Sequence, residues 1–181
     1  MKNIGRILQG VALFSALAFC SCTGEHDQSD LSPGQLKEPL IRINKTAAEI
    51  EKEQIDAYIK RHNWEMKSTG TGLRYMIYKK GRGALAREGM VAVISFKVSL
   101  LNGRVCYTSD EKGPQEILIG QSDAESGLQE GITYLHVGDK AKMILPTHLA
   151  HGLIGDRDKI PPKSTIIYDV ELLQLQESPS Q

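Results

Sequence analysis

The sequence predicts an α+β domain: an antiparallel sheet of about five strands with one short helix on one face, preceded by a separate helix. Three observations predict this class. Short runs between residues 73 and 173 carry an apolar residue at every second position, which is the period of a half-buried strand. Within that region, residues 127–135 have the apolar spacing of a helix instead. A helix-start pattern precedes the runs.

The first of these elements is a helix that we predict from about Thr46 to His62. Thr46 and, three residues later, Glu49 match a capping box, in which each side chain binds a backbone N–H of the first turn. Ile55 and Ile59 fall on one face and form a thin apolar stripe. The helix is therefore expected to pack on the domain, with pairing to a second copy of itself as the weaker alternative.

The alternating runs that follow are predicted to be strands. The run Ile94–Leu100 ends at Asn102-Gly103, which predicts a type I′ hairpin turn because both central residues of that turn need a positive φ. Arg104–Thr108 then returns as the partner strand. Gly138-Asp139 predicts a further turn. Three more alternating runs lie at residues 73–78, 141–145 and 166–173, with a short apolar run at 116–119.

The start of the chain is predicted to be a secretion signal rather than part of the fold. Lys2 and Arg6 precede an apolar stretch, residues 7–19, that is shorter than the roughly 20 residues of a membrane span. An ordinary cleaved signal and an uncleaved anchor remain alternatives to a lipoprotein signal. The predicted segments are a signal at 1–21, a lipidated N-terminus and polar tether at 22–43, a helical segment at 44–68, the domain at 69–175 and a tail at 176–181.

The signal ends in small residues followed by cysteine, a pattern that resembles a lipobox. Cys22 is the predicted lipid acceptor because the small Ser21 precedes it, whereas the bulky Phe19 precedes Cys20. If Cys22 carries the lipid, Cys20 leaves with the signal and Cys106 has no partner for an intramolecular disulfide. If Cys20 is the acceptor, Cys22 and Cys106 could pair.

Charge and motif content exclude several classes of function. The chain has 22 basic and 22 acidic residues and no Lys/Arg-rich run, which argues against nucleic acid as a partner. No phosphate-binding loop, Ser-His-Asp set or acid–base carboxylate pair is present. His148 and His151, near two Asp residues, have only loosely metal-like spacing. We therefore predict neither a metal site nor a cofactor.

Short motifs recur in a fixed order from residue 81 to residue 173. They are Gly81-Arg82-Gly83 with Glu88-Gly89, Asn102-Gly103-Arg104 with Thr108-Ser109, Ile119-Gly120, Gly127-Leu128-Gln129-Glu130-Gly131, Val137-Gly138-Asp139-Lys140-Ala141, Leu149-Ala150-His151-Gly152, Ile160-Pro161-Pro162-Lys163-Ser164-Thr165 and Tyr168-Asp169-Val170-Glu171-Leu172-Leu173. Their order and spacing resemble those of the FKBP-type peptidyl-prolyl isomerases. The whole layout is similar to that of lipid-anchored members in bacterial envelopes.

This resemblance implies a strongly bent antiparallel sheet wrapped around one helix, with an apolar pocket between them that takes up a proline ring. The five residues that it assigns to this pocket are Phe96, Cys106, Leu128, Ile160 and Tyr168. Phe96 stands where the family usually has Tyr, Cys106 where it has Phe and Leu128 where it has Trp. Affinity for proline should fall with this loss of aromatic area.

The resemblance also assigns four residues to contact with the substrate: Glu125, His151, Tyr107 and Tyr168. At Glu125 the important group is the backbone N–H, which any residue except Pro offers. His151 replaces a Tyr whose hydroxyl usually binds the substrate carbonyl, and an imidazole N–H can donate in its place. Tyr107 stands where Asp is usual, and Tyr168 brings a hydroxyl where Phe is usual.

The expected function is thus prolyl isomerisation of proline-containing polypeptide clients, with activity reduced by the altered pocket. The expected location is the bacterial envelope, where a lipid attaches the protein to a membrane. The outer membrane is the expected one. Two alternatives remain: a non-catalytic polypeptide-binding module with this fold, and a structural subunit of an envelope assembly.

Overall fold

The computed structural model describes residues 33–177, which contain helices, antiparallel strands and the loops between them. In chain order they are α1 (Pro33–Arg61), β1 (Lys67–Ser68), β2 (Arg74–Lys79), β3 (Met90–Leu100), β4 (Val105–Thr108), α2 (Ser109–Lys112), β5 (Gln115–Leu118), α3 (Ser126–Ile132), β6 (Lys140–Leu145), a 3₁₀ turn (Thr147–Leu149) and β7 (Ile166–Glu177). The predicted α+β class is confirmed. The described part of the chain has seven strands. Five of them are the runs predicted to be strands, and the other two are the short strands β1 and β5.

The strands form one sheet in the order β1-β2-β6-β7-β3-β4, and β5 also pairs with β3. Strands β3 and β7 pair along their whole length, from Met90 opposite Glu177 to Leu100 opposite Ile166. On its other side β3 pairs first with β5 and then with β4. A register shift at residues 93–94 of β3 marks a bulge, and bulges bend a strand. These features build the bent sheet that was predicted.

Helix α3 packs against one face of this sheet through Leu128 and Ile132, which are both fully buried. Gly127 permits the close approach, since a Cβ atom there would lie 2.7 Å from the Cγ of Leu145 on β6. The helix predicted near residues 127–135 is therefore confirmed, although it ends at Ile132. This packing places α3 against β6.

Helix α1 covers the opposite face of the sheet. Its Ile55 and Tyr58 are buried against Ile144 of β6 and Ile167 of β7, which confirms that the helix packs on the domain. These two strand residues alternate with those that face α3, as side chains along a strand do. The sheet is consequently buried on both faces where α1 crosses Ile144 and Ile167.

A carboxylate fastens α1 to the far end of the sheet. The Oε1 atom of Glu51 accepts hydrogen bonds from the backbone N–H of Thr147 at 2.7 Å, from its hydroxyl at 2.6 Å and from the Thr165 hydroxyl at 2.5 Å. Both threonines flank the loop that contains His151. The helix thus holds both ends of a loop that borders the predicted pocket.

The predicted start of α1 at Thr46 is wrong, because the helix already begins at Pro33 and Thr46 lies inside it. Proline is well suited to the first turn of a helix, since its missing N–H would have no intrahelical partner there. The polar composition that suggested a tether from residue 33 onward is equally compatible with an exposed helix.

The predicted type I′ turn is also wrong, although the β3–β4 hairpin forms. Gly103 has a φ of +86°, but Asn102 is not among the residues with positive φ. The N–H of Gly103 donates to the carbonyl of Leu100 at 2.9 Å, and the N–H of Leu100 donates to the carbonyl of Arg104 at 2.9 Å. This is the three-residue hairpin loop, in which one residue with positive φ suffices.

The predicted signal at 1–21, the lipid acceptor Cys22 and the first part of the tether lie outside the described residues, as do residues 178–181 of the tail. Between residues 33 and 177, no helix has the length and apolar character that crossing a membrane would require.

Replacing Ile55 by Ala should test whether α1 belongs to the cooperative fold. Ile55 is 1% exposed, so removing its side chain should lower the free energy of unfolding by about 2–5 kcal/mol in a urea titration. Ile50→Ala on the same helix is the matched control, because Ile50 is 51% exposed and should cost no more than about 0.5 kcal/mol. Equal effects of the two changes would mean that α1 unfolds separately.

Candidate functional site

The five residues predicted to form the proline pocket lie together in the core between the sheet and α3. Their exposed fractions are 8% for Phe96, 2% for Cys106, 0% for Leu128, 2% for Ile160 and 4% for Tyr168. The Phe96 and Tyr168 rings are tilted neighbours, with centroids 6.3 Å apart. Because these side chains are almost inaccessible to solvent, they form a filled apolar floor rather than an open cavity.

The β3–β7 pairing explains why the two aromatic rings meet. Phe96 lies opposite Val170, and Val98 lies opposite Tyr168. The four side chains therefore point to the same face of the sheet, towards α3. A rigid pair of long strands thus sets the position of the pocket floor.

A polar network lies on this floor and joins three of the four residues predicted to contact the substrate. The Tyr168 hydroxyl is 3.1 Å from both carboxylate oxygens of Glu125 and donates to them. The Nε2 atom of His151 is 2.8 Å from Oε1 of the same carboxylate. The side chains of Glu125 and His151 are 12% and 27% exposed, so the network lies between the apolar floor and solvent.

Burial raises the pKa of Tyr168 well above its ordinary value, and the negative charge of Glu125 together with the hydrogen bond to it raises the pKa further. The phenol therefore keeps its proton at any physiological pH. Tyr168 accordingly acts as a hydrogen-bond donor to the carboxylate and not as an acid or base.

The backbone of Glu125 is positioned by the loop that precedes α3. Gln129 holds this loop: its Nε2 donates to the carbonyls of Ser122 at 3.0 Å and Ala124 at 2.7 Å, and its Oε1 accepts from the N–H of Gly120 at 2.8 Å. The carbonyl of Glu125 accepts the first bonds of α3. Within residues 33–177 we find no acceptor for the Glu125 N–H, which leaves this donor available to a ligand.

Tyr107, the fourth predicted residue, does not join the network. Its hydroxyl donates to the Oδ2 atom of Asp156 and lies 3.1 Å from Oδ2 of Asp158. The ammonium groups of Lys112 and Lys159 lie 3.9 Å and 5.1 Å from the centre of its ring. Burial and the hydrogen bond to Asp156 raise the pKa of Tyr107, so it also stays protonated. Tyr107 therefore anchors a loop beside the pocket.

Asp156 organises the loop that brings Ile160 to the pocket floor. Its Oδ1 atom accepts hydrogen bonds from the N–H of Asp158 at 2.9 Å and of Ile160 at 2.8 Å. Desolvation by burial acts to raise the pKa of Asp156, but the hydrogen bonds from Tyr107 and these two N–H groups outweigh it and lower the pKa. The carboxylate is therefore the form that the folded loop stabilises.

Cys106 is a free thiol in the described part of the chain. Its Sγ atom lies 3.6 Å from the carbonyl of Lys159, to which the thiol donates weakly. Burial raises the pKa of this thiol, which keeps it protonated and unreactive. In the structure it packs as a small buried side chain of the core.

A groove of about 340 Å³ opens beside the network. Its walls are formed by Gln115, Glu116, Ile117, Ser122, Asp123, Ala124, Glu125 and His151. The Ser122 hydroxyl in this wall is buried and has no hydrogen-bond partner within the described residues. In the same part of the chain, no group of three or more His, Cys, Asp or Glu side chains is arranged to hold a metal ion.

Sequence reasoning missed Gln129 and Asp156 as residues that build the site. Gln129 was visible only as part of a motif, and Asp156 only as an acid in a loop rich in His, Gly and Asp. Both side chains form hydrogen bonds with backbone groups of the loops that they hold.

A bent antiparallel sheet wrapped around one helix, with an apolar floor between them, defines a class of protein. Residues 83–173 match the family model described as FKBP-type peptidyl-prolyl cis-trans isomerase, which covers half of the chain. The chain therefore belongs to this family.

Curated relatives carry the same family name. The chain is 28% identical over 166 residues to the FKBP-type peptidyl-prolyl cis-trans isomerase FkpA of Escherichia coli strain K12, an alignment that covers 84% of this chain and 61% of that relative. It is 30% identical over 188 residues to FkpA of Buchnera aphidicola subsp. Baizongia pistaciae, with coverages of 97% and 72%. The chain thus spans about 61% of the length of the Escherichia coli relative.

Solved structures agree with this assignment. The crystal structure of FkpA from Escherichia coli superposes with a TM-score of 0.64 at 28% identity and covers 84% of this chain and 77% of that one. The crystal structure of AtFKBP13 superposes with a TM-score of 0.59 at 26% identity and covers 61% and 98%. The FKBP-like fold predicted from the ordered motifs is therefore confirmed.

Replacing Asp156 by Asn should change how stability depends on pH. The folded state lowers the pKa of Asp156 below its ordinary value of about 3.9, so its contribution is complete above that pH and is lost as the pH falls through the folded-state pKa. Thermal unfolding followed by circular dichroism should therefore show a smaller loss of Tm on acidification in the variant than in the wild type, and a lower Tm at neutral pH.

Asp110→Asn is the control, because Asp110 is an exposed residue of the neighbouring helix α2. Its pH profile should run parallel to that of the wild type. A parallel profile for Asp156→Asn would mean that the loop does not depend on the ionised carboxylate.

Proposed function

We propose that this protein is a peptidyl-prolyl cis-trans isomerase that acts on proline-containing polypeptides. The observation that supports this most is the donor pair at the edge of the apolar floor: the available N–H of Glu125 and the imidazole of His151. Family membership adds to it, since the relatives named above are called isomerases.

The reaction needs no nucleophile or metal. Rotation about an X–Pro bond passes through a twisted amide that has lost its resonance, and the uncatalysed barrier is about 18–20 kcal/mol. A twisted amide is less dipolar at its carbonyl than a planar one, so an apolar surface favours it over the well-solvated ground state. This is preferential binding of the transition state, and lowering the barrier by roughly 4 kcal/mol gives about a thousandfold acceleration.

Each part of the site has a role in this proposal. Leu128, Ile160 and the ring of Tyr168 supply the apolar surface for the proline ring. The N–H of Glu125 binds a carbonyl of the client and holds the chain in a turn. The imidazole of His151 donates a second hydrogen bond once it leaves the Glu125 carboxylate.

We further propose that this activity is weak. The five floor residues are at most 8% exposed, and the Glu125–His151–Tyr168 network lies over them. A client must displace or rotate these side chains before a proline ring can reach the floor. The free energy of that opening is subtracted from binding, which raises the barrier relative to an open pocket.

The closed floor also supports a second candidate, a polypeptide-binding module without catalysis. A groove of about 780 Å³ runs between α1 and the loop after the 3₁₀ turn. The exposed apolar side chains of Ile43, Ile50 and Leu153 lie along it. Such a surface suits an extended, unfolded segment and does not require proline.

For the location we propose the bacterial envelope, with a lipid on Cys22 as the membrane anchor. The support is the sequence pattern alone: a basic start, a short apolar stretch and small residues before a cysteine. A lipid at this position would keep the domain near a membrane, the outer one in our proposal. Residues between Cys22 and α1 would then serve as the tether.

Exchange spectroscopy by NMR on an Ala-Pro peptide should show catalysis by the full-length chain above the rate in buffer. His151→Ala should lower kcat/KM by about tenfold, the value of one hydrogen bond to the substrate carbonyl. His148→Ala is the matched control, since its Nε2 atom lies 2.9 Å from the carbonyl of Thr71 outside the pocket. It should change kcat/KM little.

A wild-type exchange rate equal to that in buffer would contradict the isomerase proposal. If the same preparation still suppresses aggregation of an unfolded client that lacks proline, the binding module becomes the function. Failure in both assays would leave only the structural role.

Anchoring is tested by changing single cysteines in the full-length chain expressed in a bacterium. Cys22→Ala should move the protein from the membrane fraction to the soluble fraction, because a covalent lipid supplies the membrane affinity. Mass spectrometry of the mature wild-type chain should find an N-terminal Cys22 that carries fatty-acyl chains. Cys20→Ala is the control and should leave both results unchanged; release by Cys20→Ala instead would reassign the acceptor.

A further inference from the structure

The carboxylate of Glu125 has no task in the isomerisation proposed above, which uses only its backbone N–H. It nevertheless lies at the mouth of the pocket, 12% exposed, where the Tyr168 hydroxyl and the His151 imidazole hold it. Keeping a carboxylate partly buried is costly unless other groups compensate its charge. Of its two partners, the His151 imidazole lies nearer, at 2.8 Å, and is the more exposed.

The adjoining groove has an uneven charge distribution. Glu116 and Asp123 are exposed on its walls beside Glu125, and none of its lining residues is Lys or Arg. A client bound with its proline near the floor would place the neighbouring side chain close to the mouth of the pocket. That side chain would meet the Glu125 carboxylate and the two further acids.

We propose that Glu125 is a specificity-determining residue that selects clients with Lys or Arg beside the proline. This inference rests on the proposed function in so far as a client must bring its proline to this pocket. The ammonium or guanidinium group of the client takes the place of His151 at the carboxylate. The bond between Tyr168 and Glu125 stays in place and keeps the carboxylate aimed at the groove.

The exchange of partners also links selection to catalysis. When the client's cation binds Glu125, the Nε2–H of His151 is released and can donate to the carbonyl of the client. A client without a cation beside its proline has no charged group to place at the carboxylate when His151 leaves it. A client with Asp or Glu beside the proline adds repulsion at a site where the effective dielectric constant is far below that of water.

The test is a set of peptides that carry Lys, Gln or Glu beside the proline, first on its N-terminal and then on its C-terminal side. Both the catalysed exchange rate and the dissociation constant are measured with the full-length chain, by NMR and by fluorescence anisotropy. We expect the Lys peptide to exceed the Glu peptide by about tenfold in kcat/KM and in affinity at one of the two positions.

Glu125→Gln should bring the Lys-to-Glu ratio close to one, because it removes the charge while its amide oxygen still accepts from Tyr168. Glu116→Gln is the matched control, since it removes an exposed carboxylate of the same groove that has no bond to Tyr168 or His151, and it should lower the ratio far less. His151→Gln removes the imidazole that occupies the carboxylate and should raise affinity for the Lys peptide, opposite in sign to Glu125→Gln.

The outcomes separate this inference from the isomerase proposal. Catalysis without a Lys preference, or a preference that survives in Glu125→Gln, overturns the role of Glu125 and leaves the isomerase standing. Binding with a Lys preference but no catalysis overturns the isomerase and supports the role of Glu125. Neither binding nor catalysis for any peptide, with Tm equal among the variants, overturns both.

Discussion

The pairing of β3 with β7 is the constraint on which the rest of the structure depends. These strands are bonded along their whole length, and every other strand of the described sheet attaches to one of them or to β6 and β2 beyond β7. Their register directs Phe96 and Tyr168 to the face that α3 covers. It directs Ile167 to the opposite face, where α1 packs. One ladder thus positions both the pocket floor and the N-terminal helix.

This arrangement leaves the site with an unusual balance between apolar and polar groups. The floor is apolar and closed, whereas the groups above it are a phenol, a carboxylate and an imidazole. A polar network of this kind is stable only while every member has a partner. Under the proposed function, a client that binds has to replace each bond that it breaks, so the residues beside its proline matter as well as the proline itself.

Helix α1 connects this site to the part of the chain that precedes the domain. Its Ile55 is buried against the sheet, and its Glu51 binds both threonines that flank the His151 loop. A displacement of α1 would consequently disturb the loop that carries His151. The helix is thus a structural support of the site as well as a link to the proposed anchor.

The sequence by itself determined the α+β class, the alternating strands, helix α3 and the family, because these follow from local periodicity and from motifs in a fixed order. It also named Glu125, His151 and Tyr168, but not their mutual bonds. Only the tertiary structure decided that the Tyr107 hydroxyl bonds Asp156, that Gln129 holds the Glu125 loop, and that the floor is filled. These outcomes depend on side chains that are distant in sequence and meet only after the sheet has formed. The start of α1 at Pro33 and the hairpin turn differed from prediction for a related reason, since local composition permits several backbone geometries and packing selects among them.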